Sequence, residues 1–182
     1  MRNKLIALAA TVGLALSMTP AAAQPASAAP SEQADVALVT CLPTSTYDVS
    51  YNPPLRLRPV DTVRTTERSY TGCVSTVPGL TGGSGTDSQP RTLSCVDLLA
   101  SGSSVYTITW NTGQTSTLDV ENAINIVGGT ITVTQTGTVA SGLFAGATVT
   151  QQIVGVSLAL IPCTLGLGSF SGFTGTTTLL IV

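Results

Sequence analysis

The chain of 182 residues contains no histidine. That absence excludes Ser-His-Asp and Cys-His catalysis, imidazole acid–base chemistry and His-ligated zinc. Lysine is nearly as scarce. Lys4 is the only one and falls in a leader-like start, so the rest of the chain offers neither a Ser-Lys dyad nor a Schiff-base amine. Beyond that start, five arginines face nine acidic residues, a net charge of −4. The basic footprint that nucleic-acid binding requires is missing. Past the leader no stretch approaches the ~20 continuous apolar residues of a membrane span. The best candidate, Gly155 to Ile161, stops at Pro162.

The N-terminus has the order of a secretory signal. Arg2 and Lys4 precede an apolar run from Leu5 to Leu16, and small residues follow up to Pro30. The apolar core is too short to cross a bilayer. Small-x-small cleavage sites end at Ala23 and at Ala28, and the second leaves a polar tail at the new terminus. The expected organisation is a signal peptide over 1–28, a loose tail over 29–35 and one domain over 36–182. The lone leader arginine points to the general export route. The expected location is extracellular or cell-wall associated.

Cys41, Cys73, Cys95 and Cys163 all lie beyond the leader and so reach an oxidising compartment. With no C-x-x-C and no histidine ligand, structural disulfides are expected rather than a redox pair or metal site. Of the three pairings, Cys73–Cys95 and Cys41–Cys163 are predicted. The first would staple two strands flanking a glycine-rich loop, and the second would tie the first strand to the region before the last.

Periodicity along the chain is that of β-strands. Val36 to Val39 opens the first. The proline-punctuated Asn52 to Pro59 reads as an edge or crossing. Thr62 to Thr76 reads as a long strand, Pro78 to Pro90 as a flexible loop, and Arg91 to Leu99 as a short strand. From Val105 the pattern sharpens. Tyr106, Ile108 and Trp110 alternate with threonines, and Asn111-Thr112-Gly113 makes a three-residue hairpin turn. Leu118 and Val120 return on one side, and Gly128-Gly129 forms a two-residue turn. Ile131, Val133 and Val139 oppose a threonine face. A reversal near Ser141 to Gly146 leads back through Ala147 to Val156, where a phase shift predicts a bulge near Gln152. Thr176 to Val182 is the last strand. No helix is expected after the leader. The predicted fold is all-β: an antiparallel, Ig-like Greek-key β-sandwich of about eight or nine strands with two disulfides. The proline-rich crossing and the long loops favour a sandwich over a closed barrel.

Carboxylates are the remaining acid–base groups. Asp119 and Glu121 share one strand face with Thr117, and that uniformly polar face reads as solvated rather than as a glycosidase pair or a calcium site. Gly82-Gly83-Ser84-Gly85 lacks the Gly-Lys-Ser/Thr ending of a phosphate loop. Asp87-Ser88 is not an aspartic-protease signature. Arg56, Arg58, Arg64 and Arg68 form a possible patch for an anionic partner such as a wall polymer, with edge-strand charge as the plainer explanation. Trp110 reads as core.

The hairpin Thr109 to Ser116 (TWNTGQTS) and the segment Gly137 to Gly146 (GTVASGLFAG) resemble small secreted all-β proteins of actinobacteria. The likeness spans roughly residues 40–182 and implies secretion and an all-β fold, with no active residues. More loosely, the chain resembles the apoproteins of enediyne chromoproteins, which would imply a ligand carrier. The expected function is a secreted, non-catalytic binding or structural module facing cell-wall polysaccharide or extracellular protein. No cofactor, nucleic-acid partner or membrane span is expected. The alternatives are a small-molecule carrier with a pocket between sheets, an extracellular protease inhibitor and a carboxylate-dependent hydrolase.

Overall fold

In the computed structural model, residues 37–182 are described; the expected signal peptide, the tail and Val36 lie outside the described residues. The strands are β1 (Val39–Leu55), β2 (Val60–Tyr70), β3 (Val74–Ser75), β4 (Gly83–Leu93), β5 (Gly102–Trp110), β6 (Thr115–Val127), β7 (Thr130–Gly142), β8 (Thr148–Val156) and β9 (Phe170–Ile181). All pairings are antiparallel, in the order β2-β4-β5-β6-β7-β8-β9-β1, and β1 also pairs with β2. That last pairing closes the sheet. The fold is an eight-stranded antiparallel barrel, not an Ig-like sandwich, with β3 as a short extra strand beside β1.

The two features that favoured a sandwich are local elements of the barrel. Asn52 to Leu55 complete β1, and the chain turns at residues 56–59 so that β2 folds back along β1 as a hairpin. Pro53 and Pro54 sit where the β1–β9 register breaks, between Ser50 and Leu55, so the missing donors fall in an interruption of the ladder. The glycine-rich stretch is mostly β4. Gly83 lies under the Trp110 ring, where an added Cβ would come within 2.8 Å of Cε3. Glycine is there because the indole occupies the space, which composition alone reads as flexibility. β4 alternates half-buried and exposed residues from Gly83 to Pro90, as a strand in a barrel wall must.

The other differences are smaller. The long strand expected over Thr62 to Thr76 is broken at Thr71-Gly72-Cys73 into β2 and β3, which lie along the same edge of β1. Arg91 to Leu99 is the end of β4 followed by a 3-10 turn at Asp97–Leu99. A one-turn helix, α1 (Leu160–Thr164), joins β8 to β9 where no helix was expected. The β7–β8 register runs unbroken from Thr130↔Val156 to Thr138↔Thr148, so there is no bulge at Gln152. The irregularity lies instead between Thr117 and Leu118, opposite Ala140. Both expected hairpins form, with Gly113 at φ 83° and Gly128-Gly129 at 59° and 83°.

The disulfides are Cys41–Cys73 and Cys95–Cys163, which corrects the predicted pairing. Cys73 and Cys95 flank a full-length strand rather than a loop. Eleven residues of β4 span about 34 Å, which puts these two cysteines at opposite ends of the barrel. Cys41–Cys73 holds β1 to the β2–β3 break. Cys95–Cys163 joins the β4–β5 connection to α1, and the Cys95 amide donates to the Arg56 carbonyl. One bridge therefore secures each end.

The barrel interior holds two apolar clusters. The first, near Cys41–Cys73, gathers Ile108, Trp110, Leu118, Val120, Val139, Val149, Leu179 and Ile181. Trp110 is buried, as expected, and its Nε1 donates to Ser116 Oγ at 2.8 Å. Side chains of this size contribute about 1.5–3 kcal/mol each by burial. The second cluster, near Cys95–Cys163, gathers Val49, Leu55, Ile131, Ile153, Leu160 and Phe170 with Tyr47 and Tyr51.

Candidate functional site

Strand parity determines which polar groups enter the barrel. In β2, Thr62, Thr66, Arg68 and Tyr70 are buried and Arg64 is half-buried, while Asp61, Val63 and Glu67 are exposed. In β7 and β8 the inward sets are Ile131, Gln135 and Val139, and Val149, Gln151 and Ile153. Both glutamines thus occupy core positions and must find partners inside.

They find them in a polar layer across the barrel. Gln151 Oε1 accepts from the hydroxyls of Tyr70 at 3.1 Å and Tyr106 at 2.5 Å, and its Nε2 donates to Thr177 Oγ1 at 2.8 Å. The Tyr106 hydroxyl also lies 3.2 Å from Gln135 Oε1. With a single proton it donates to the nearer acceptor. Gln135 Nε2 donates to Asn122 Oδ1, and Asn122 Nδ2 reaches the Gly102 carbonyl and Ser104 Oγ at the start of β5. Arg68, 4% exposed, lies in the same layer 4.0 Å from the Tyr106 ring centroid and 5.5 Å from that of Tyr47, and it pairs with Asp87. Burial raises the Tyr70 hydroxyl to about 12, with Arg68 pulling the other way, and burial holds Tyr106 well above its usual range. Both hydroxyls remain proton donors across the physiological range.

On the α1 side of this layer the barrel is incompletely filled. A cavity of about 280 Å³ is lined by Tyr47, Tyr51, Arg64, Asn122, Val133 and Phe173, among others, and reaches Gln135 of the polar layer. It meets the surface where the wall is weakest. β4 and β5 pair only at Gly83↔Trp110 and Ser84↔Thr109 and then part, whereas β6 and β7 stay paired along most of their length. Arg91, Leu93, Leu98 and residues 100–104 line the cavity along that parting.

Three charged side chains line the cavity. Asp97 accepts from the amide and the hydroxyl of Ser94, both at 2.7 Å, and these bonds hold its carboxyl below the usual range. Arg91 is exposed and bonds to Gln89 at 2.6 Å. Arg64 is half-buried; one terminal nitrogen lies 3.4 Å from the Tyr47 hydroxyl, and its Nε is buried without a partner. Among the described residues the Arg68–Asp87 pair is the only ion pair.

The four arginines of the expected anionic-partner patch are therefore divided. Arg56 and Arg58 are exposed at the β1–β2 turn, while Arg64 and Arg68 point inward. Asp119 and Glu121 lie exposed on the outside of β6, facing Thr138 and Thr136 of β7. Among the described residues no group of three acidic or cysteine side chains could hold a metal ion. Tyr47, Tyr51, Asn122 and Gln135 were not singled out by sequence reasoning. The usable signal was a polar residue at a core position, at Gln135 in β7 and Gln151 in β8.

No protein-family model, curated protein or solved structure matches this chain.

Proposed function

We propose that the protein is a secreted binding protein that holds a small, largely apolar molecule inside the barrel. The observation that carries this reading is the cavity itself. A barrel of eight strands is just wide enough for side chains to fill it or for one small ligand to be held. Here the Trp110 cluster fills one half, and in the other a cavity of about 280 Å³ lies between the second apolar cluster, the polar layer and the β4–β5 parting. Its lining sets aromatic and aliphatic side chains beside convergent polar and charged ones, as a small-molecule site needs for both contact area and orientation. Tyr51, Phe170 and Phe173 supply flat apolar surface, and Arg64, Asn122 and Gln135 supply directional contacts.

The rest of the molecule supports a carrier. Two disulfides suit an oxidising extracellular setting, and no helix among the described residues is long and apolar enough to cross a membrane. Bridges at both ends stiffen the frame while the β4–β5 parting leaves a way in. The test is native mass spectrometry of protein taken from the producing culture. Excess mass over the two-disulfide chain that is lost on denaturation is expected. Protein that is always bare, and that binds no small apolar compound in solution, would overturn the reading.

A further inference from the structure

We infer that the ligand of this cavity is a small monocarboxylate, its apolar body against Phe170, Phe173 and Val133 and its carboxylate on Arg64. The inference rests on the binding reading above and names the chemical class of the ligand.

Two arginines on one face of one strand differ in what they meet inside the barrel. Arg64 and Arg68 are four residues apart in β2 and both turn inward. Arg68 lies in the sealed polar layer and has a carboxylate from the chain, Asp87, besides two tyrosine rings. Arg64 lines the cavity and has no carboxylate at ion-pair distance among the described residues. Its only side-chain bond is the long one to the Tyr47 hydroxyl.

Taking a charge out of water costs several kcal/mol unless an opposite charge and hydrogen bonds replace the water. A guanidinium has five donors in a planar fork that matches a carboxylate. The Arg64 fork is largely unused, and its Nε is already shielded from solvent. Tyr47 completes the cradle. Its hydroxyl accepts from Arg64 and keeps its own proton to donate to an anion.

The charges at the cavity sum to one positive. Arg64 and Arg91 stand against Asp97, whose carboxylate the Ser94 bonds keep ionised at the rim. Size narrows the class further. The cavity of about 280 Å³ is at the small end of ligand pockets, which suits a molecule of roughly ten non-hydrogen atoms. A single inward guanidinium matches one negative charge, and the four aromatic rings of Tyr47, Tyr51, Phe170 and Phe173 match an aromatic or branched body.

The experiment is calorimetric titration of the wild-type protein with hydrocinnamate and with its neutral amide, hydrocinnamamide, repeated on Arg64→Gln and Arg64→Lys. The acid is expected to bind at least tenfold more tightly than the amide. Arg64→Gln should abolish that preference, and Arg64→Lys should retain part of it. Equal binding of acid and amide by the wild type would overturn the carboxylate assignment while leaving the cavity reading intact. Absence of binding by either compound at millimolar concentration would overturn both. The wild-type comparison needs no variant, so it decides the question even if an Arg64 substitution impairs folding.

Discussion

Arg68 lies 4.0 Å from the centroid of the Tyr106 ring and pairs with Asp87 across the β2–β4 ladder. A guanidinium held between an aromatic face and a carboxylate inside a barrel is tolerable only while both partners remain. The pair therefore fixes the position of β4, the strand with the least apolar sequence and the shortest pairing to its next neighbour.

Asp87→Asn leaves the Arg68 charge buried without its counter-ion. Breaking a buried pair in this way costs about 3–5 kcal/mol when both partners are fully buried. The Asp87 side chain keeps 25% of its exposure, so a loss of about 2–3 kcal/mol in urea unfolding is expected. Adding Arg68→Met should restore most of that loss, because the unpaired charge is then gone. A double variant no more stable than Asp87→Asn would show that the pair does not act as a unit.

Each disulfide should matter separately. The bridges close 32 and 68 residues of sequence, worth about 4 kcal/mol each in the chain-entropy model. Peptide mapping without reduction should recover Cys41–Cys73 and Cys95–Cys163 as linked pairs. Replacing Cys95 and Cys163 by serine should lower the unfolding midpoint and loosen the α1 end, read as faster amide exchange around Leu160, with Trp110 emission unchanged. A peptide linking Cys73 to Cys95 would contradict the barrel.

High pH should unfold the protein through its tyrosines. Burial raises Tyr51 and Tyr70 from 10 to about 12, partly offset by Arg64 and Arg68 respectively, and raises Tyr106 in the same direction. An unfolded chain releases these protons near pH 10, whereas the folded one holds them. The stability they contribute is therefore complete below pH 10 and is lost as pH rises toward 12. Phenolate absorbance should rise together with loss of β-sheet circular dichroism, as one steep transition. Smooth ionisation near pH 10 in a protein that stays folded would show these hydroxyls to be open to water.

The all-β class and the run from β5 to β8 were legible because alternation and turn glycines act locally. Tyr106, Ile108 and Trp110 fall on one side by parity alone, and Gly128-Gly129 needs only its own φ values. Closure was not legible, because β1 must pair with β9, from the far end of the sequence, on one edge while keeping its hairpin partner β2 on the other. β4 was hidden by its glycines, of which Gly83 makes room for the Trp110 indole and Gly85 for the Thr107 backbone of β5. The site was half visible. Gln151 breaks an apolar inward series in β8, and a phase shift with a bulge explains that pattern as well as a buried amide does. What decides between them is the set of donors from Tyr70 and Tyr106, which only the closed barrel brings to it.

Binding of a ligand inside the barrel is tested most directly by an amide-resolved NMR titration with hydrocinnamate. The account predicts saturable shifts at Tyr47, Tyr51, Val133 and Phe173, with Leu118 and Val149 in the opposite cluster unmoved. Shifts confined to outward residues such as Asp119 and Glu121, or none at saturating ligand, would contradict it.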